Sequence, residues 1–126
     1  MGKKKQEAPS EVLTGFLNYI DQCKCFYESA FDFVGTEDKR LQDLLHELEF
    51  APDENNRRRA ATKLQQSRRN RRKQKDEVQR FKLIVEFFEE PENKRTLNKM
   101  RQLLGRQRKQ EEYLDGERYY NRRVEE

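Results

Sequence analysis

Residues 53–91 read DENNRRRAATKLQQSRRNRRKQKDEVQRFKLIVEFFEEP, and this stretch decides the fold. It holds no glycine, its only proline stands at the end, and strong helix formers fill most of it. The spacing predicts one helix from about Asp53 to Glu89, roughly 55 Å long at ~1.5 Å per residue. Ala60, Ala61 and Leu64, then Val78, Phe81, Val85 and Phe88, keep an approximate heptad. Ser67, Arg71 and Gln74 occupy the positions between that should be apolar. The seam is therefore apolar at both ends and polar in its centre. Either the centre projects into water beyond its neighbours, or it is the working surface.

The same stretch carries the charge signal. Arg57 to Lys75 is nineteen residues with ten lysines and arginines and no acid, a local net of +10. The other 107 residues carry 18 basic and 24 acidic groups, so the overall +4 hides a polarised molecule. A field of this kind attracts an anion, either nucleic acid or an acidic protein surface. At ~100° per residue, Arg57, Arg58, Arg68, Arg69, Arg72, Lys73 and Lys75 share an arc of about 160°. A solvated face normally mixes signs to limit self-repulsion. Arginine suits bidentate contact with phosphate or carboxylate. Asp53, Glu54, Asp76 and Glu77 flank the run and offer partial neutralisation.

Outward from this stretch the chain reads as all-α. Of its 126 residues 33% are apolar and 41% charged, with few glycines and prolines. Residues 1–9 read as a flexible lead-in and 115–126 as a tail, leaving one helical domain over 10–114. A first helix is predicted over 10–34, with an apolar stripe from Val12 through Phe16, Cys23 and Phe31 to Val34 that makes it the main core element. Gly35 stands as its left-handed cap, and Thr36 as the N-cap of a second helix over 36–50. The third spans 53–89. Glu90-Pro91 is the break before a fourth over 91–113, since proline suits the first turn of a helix. Within that fourth helix Gly105 implies a bend or a close neighbour. The short link predicts an antiparallel hairpin of the last two helices. That hairpin carries Arg106, Arg108 and Lys109 back beside the basic run and makes the fold a helical bundle. Glu111 and Glu112 then neutralise part of the run.

Other chemistries find no support in the residues. No apolar run approaches the ~18 residues of a membrane span, and MGKKK is too polar for a secretion signal. Gly2 sits as in a myristoylation site, but Gln6 replaces the serine or threonine wanted there. Cys23 and Cys25 point about 200° apart on a helix and cannot jointly clamp a metal. His46 is the only histidine. No glycine-rich phosphate loop or nucleophile-base pair is present, so no catalytic residue, metal or cofactor is expected. Tyr119 and Tyr120, beside Arg118, Arg122 and Arg123, either stack on bases or pack on a helix.

Three stretches together resemble small, poorly characterised proteins of phages and prophages of Gram-positive bacteria: LLHELEF at 44–50, KLQQSRRNRRKQKDEVQ at 63–79 and LLGRQRKQEEY at 103–113. The resemblance implies a non-enzymatic phage accessory protein in the bacterial cytoplasm. Proteins of that size and setting are often inhibitors of host machinery, anti-CRISPR proteins among them. The binding set read from the residues is Arg57, Arg58, Arg68, Arg69, Arg71, Arg72, Lys73, Lys75, Arg106, Arg108 and Lys109. Its partner would be a nucleic acid backbone or a host protein that binds nucleic acid. The alternative is a structural module that forms a homodimer or larger assembly through the long helix.

Overall fold

The computed structural model describes residues 6–120 and Val124, and the chain is all-α. Three helices follow one another: α1 (Pro9–Glu49), α2 (Glu54–Glu89) and α3 (Pro91–Asp115). Among the described residues there is no strand. Contacts divide the chain into two units, one of Ile20–Phe87 and one of Met1–Tyr19 with Phe88–Glu126.

The first unit is an antiparallel helical hairpin of α1 and α2. Ile20, Cys23, Ala30 and Leu44 from α1 are buried with Ala60 and Val78 from α2. Along α1 the inward positions are 20, 23, 27, 30, 34, 37, 41, 44 and 48, and along α2 they are 60, 64, 67, 71, 74, 78, 81 and 85. Both series alternate steps of three and four, the pattern of a coiled-coil seam. Contact between Glu37 and Ser67 fixes the register. Seven residues on along α1 and seven back along α2 stand Leu44 and Ala60, both buried. Toward the other end the rings of Phe26 and Phe81 meet at 5.5 Å.

Two helices expected over 10–34 and 36–50 are thus one helix of 41 residues. Gly35 is not a left-handed cap, for no described residue has positive φ. Thr36 spends its hydroxyl on the Asp32 carbonyl at 3.2 Å rather than capping a new helix. The physical reason lies in the seam, which passes Gly35 without a change of phase. Its continuous packing outweighs the ~1 kcal/mol that a mid-helix glycine costs. The polar centre of α2 does not project into water either, since Ser67 is buried against α1.

The core differs from the expected stripe as well. Phe31 is 61% exposed and Phe16 42%, while the smaller Cys23 and Ala30 fill the seam. Two helices in close contact leave room for small side chains between them and push aromatics to the flanks.

The link between α1 and α2 is four residues, 50–53. Asp53 caps α2 by accepting from the Asn56 backbone N–H at 2.8 Å. Glu89 ends α2, Glu90 is extended, and Pro91 opens α3.

The second unit joins the first turns of α1 to α3. Leu17 is buried there with Leu97 and Leu104. Ser10 meets Glu111, and Thr14 meets Arg108 at 3.0 Å. The apolar side of α3 is therefore taken by α1. The fold is the expected all-α helical bundle with a long antiparallel hairpin, and the hairpin seen within one unit is that of α1 with α2. Gly105 has nothing within 4 Å of the place its Cβ would occupy, so no close neighbour explains it. At the C-terminal end of α3 the Gly116 N–H donates to the Glu112 carbonyl at 2.9 Å. Met1–Lys5, with Gly2, and Arg122 and Arg123 lie outside the described residues.

Candidate nucleic-acid interface

Packing in the hairpin sorts the ten cations of Arg57–Lys75 into two classes. Four of them meet acids. Arg71 sits at a seam position, is half-buried, and donates through Nε to Asp38 Oδ1 at 2.6 Å. Lys63 reaches across to Glu47 at 3.2 Å. Arg57 and Arg58 share Glu54, each at 3.6 Å. The remaining six, Arg59, Arg68, Arg69, Arg72, Lys73 and Lys75, are exposed and form no ion pair among the described residues.

The geometry follows from the seam. Positions 60, 64, 67, 71, 74 and 78 point α2 at α1, so residues half a turn away point to solvent. Arg69, Arg72 and Lys73 fall on that far side, and Arg68 and Lys75 on the flank between it and the seam. A shallow groove runs along it, lined by Ala61, Leu64, Gln65, Arg68, Arg69 and Arg72. Exposed cations gain little from surface pairing, and repulsion among unpaired neighbours favours an added anion.

Electrostatics within the hairpin sharpen the contrast. Residues 20–49 of α1 hold eight acids and three lysines or arginines, while residues 54–87 of α2 hold twelve basic and four acidic groups. Opposite charge brings the helices together, and Lys63–Glu47 and Arg71–Asp38 join α1 to α2 as ion pairs. Of the flanking acids, Asp53 is spent on its cap, Glu54 on two arginines, and Glu77 on Arg80 at 3.0 Å.

Arg71 thus leaves the expected binding set, since its guanidinium is held against α1. Arg106, Arg108 and Lys109 belong to the other unit. Arg108 donates to Thr14 there, and Arg106 and Lys109 are exposed. Glu111, expected to neutralise the basic run, instead accepts from the Ser10 hydroxyl at 2.6 Å and from the Ser10 N–H at 3.0 Å. The Ser10 hydroxyl, foremost, holds its carboxyl below the usual glutamate range. Partial desolvation opposes that effect, while Gln107, the Ser10 N–H and the charge of Arg108 assist it.

Sequence reasoning missed two acids of α1 that select among the cations, Asp38 and Glu47. Their signal was present, because in the α1–α2 register they stand beside Arg71 and Lys63. It became readable only once α1 was known to be continuous.

Tyr119 and Tyr120 are exposed, and the Tyr119 hydroxyl donates to Glu117 at 2.9 Å. Arg118 lies over the Tyr113 ring at 5.6 Å. Among the described residues no group of three or more histidines, cysteines or acids could hold a metal, and no helix is long and apolar enough to cross a membrane. No family model, curated protein or solved structure matches the chain.

Proposed function

We propose that this is a non-enzymatic binding protein whose basic helix face, on α2, engages the phosphate backbone of nucleic acid. One observation carries the reading: six cations stand exposed and unpaired among the described residues, although acids are abundant on the adjoining helix. A purely structural charge run would spend its cations on those acids. Phosphate contacts release counterions, so affinity falls steeply with salt.

The test is charge reversal of Arg68, Arg69, Arg72 and Lys73 to glutamate, with binding measured across a salt series and helicity by circular dichroism. The variant keeps its fold, because none of the four lies on the seam, and it loses binding. A parent chain that binds no nucleic acid overturns the reading. If that parent still blocks a host nucleic-acid-handling enzyme, and the variant does not, the target is a protein surface. That outcome fits the anti-CRISPR-like inhibitor implied by the phage resemblance.

A second reading rests on a different observation. Phe26, Phe31, Phe33, Leu83 and Phe87 of the hairpin are all substantially exposed. Phe26 and Phe33, one heptad apart, share one flank of α1, and Leu83 and Phe87, one turn apart, share the outer side of α2, so apolar surface stands open in two places to a partner. We propose self-association as its use, and the mass in solution tests it: a monomer at all concentrations removes this reading.

A further inference from the structure

From the arrangement of the exposed side chains on α2 we infer that the ligand of this face is duplex DNA, entered through its major groove. The inference rests on the nucleic-acid reading above and names the substrate class. At about 100° per residue, Arg68 and Lys75 lie roughly 40–60° to one side of Arg72, and Arg69 and Lys73 roughly 60–100° to the other. The cations therefore form two rows that flank a central strip. A helix with its side chains measures about 10–12 Å across, which matches the ~12 Å width of the major groove of B-form DNA. With α2 seated in that groove, each row meets the phosphates of one strand. A single strand offers only one line of phosphates and leaves one row unused. A-form RNA has a major groove too deep and narrow to admit the helix.

The central strip carries the groups that base edges require. Arg72 stands in its middle, and Gln65 lies within about 20° of it, one on each side of a stretch of roughly 10 Å along the axis. That separation is close to the rise of three base pairs at ~3.4 Å each. Arginine pairs in bidentate fashion with guanine O6 and N7, and glutamine with adenine N6 and N7. Both side chains are exposed and line the shallow groove on this face. α1 lies on the seam side of α2, roughly 120–140° round the helix from the strip, so the strip is open to a duplex and the Arg68 and Lys75 row borders α1.

The experiment compares the full chain binding to a random-sequence DNA duplex, one strand of that duplex, an RNA duplex and inorganic polyphosphate, all at one salt concentration. The DNA duplex binds at least tenfold tighter than the other three, and methylation of guanine N7 weakens it. Selection from a random duplex pool enriches two positions about three base pairs apart. Gln65→Ala relaxes the choice at one of them without changing the salt dependence, whereas Arg69→Ala with Lys73→Ala weakens all duplexes alike. Equal binding to all four probes, or RNA duplex binding as tight as DNA, overturns the groove inference and leaves the phosphate-backbone reading standing. Failure to bind any of the four overturns both.

Discussion

The hydroxyl of Ser67 donates to the carboxylate of Glu37 across the α1–α2 seam, with the two residues only 2% and 1% exposed. Arg40 closes the other side of the carboxylate at 2.9 Å, one turn along α1. The centre of a coiled-coil seam is thus a satisfied polar layer, with apolar layers on both sides. A shift of one heptad either way would set Ser67 against Leu44 or Ala30, so the layer favours one alignment where apolar contacts alone would allow several.

Removing one member of this layer leaves the other buried and unpaired. Ser67→Ala lowers stability by about 1–3 kcal/mol, and Glu37→Ala by a similar amount. Urea denaturation monitored by helicity measures both. Replacing both residues together by leucine and alanine costs less than either single change. The double variant then shows more than one helix alignment by cysteine cross-linking across the seam.

The continuous α1 makes Gly35 a mid-helix residue in open space, with nothing within 4 Å of a Cβ placed there. Gly35→Ala raises stability by about 0.5–1 kcal/mol. A left-handed cap at the same position would make the substitution destabilising, so a thermal melt separates the two geometries by sign.

Core identity gives a third contrast. Leu44 is 5% exposed, and Leu44→Ala costs about 2–5 kcal/mol. Phe31 lies on the flank, its ring near Tyr27 at 6.3 Å, and Phe31→Ala changes stability by only about 0.5 kcal/mol. Equal losses in chemical denaturation would return the aromatic stripe to the core.

Acid affects the second unit through Glu111. Its carboxyl is depressed in the folded chain, chiefly by the Ser10 hydroxyl. The stabilisation is therefore fully present above the ordinary glutamate range and is lost as pH falls through the lowered folded value. Glu111→Gln flattens this part of the acid limb: it lowers the melt at neutral pH, where the parent holds the stabilisation, and changes it least at the acid end. Melting curves from pH 7 down to pH 3 for both chains make the comparison.

How far the sequence was legible depends on whether a residue declares its neighbour. Asp53, Pro91 and the heptad from Ala60 to Phe88 placed α2 and α3 within a residue or two, because caps, prolines and apolar spacing are local signals. The continuity of α1 was hidden by Gly35-Thr36, a pair that locally resembles a helix end. It was hidden again by Glu37, whose charge masks its place in the seam. Ser67, Arg71 and Gln74 misled in the same way. A polar side chain reads as solvent-facing until its partner on another helix is known. The basic face was visible from spacing alone, but which cations remain unpaired depends in part on Asp38 and Glu47, more than 15 residues from their partners Arg71 and Lys63.

Ser10 and Glu111 are 101 positions apart, and their contact sets the order in which the chain can be completed. Ile20–Phe87 is a single uninterrupted segment, so the hairpin has all its parts as soon as Phe87 leaves the ribosome. The first turn of α1, by contrast, is synthesised early and stays without its carboxylate partner until Glu111 follows. A chain released before that point contains a whole hairpin and an N-terminal turn whose Ser10 N–H and hydroxyl lack their carboxylate.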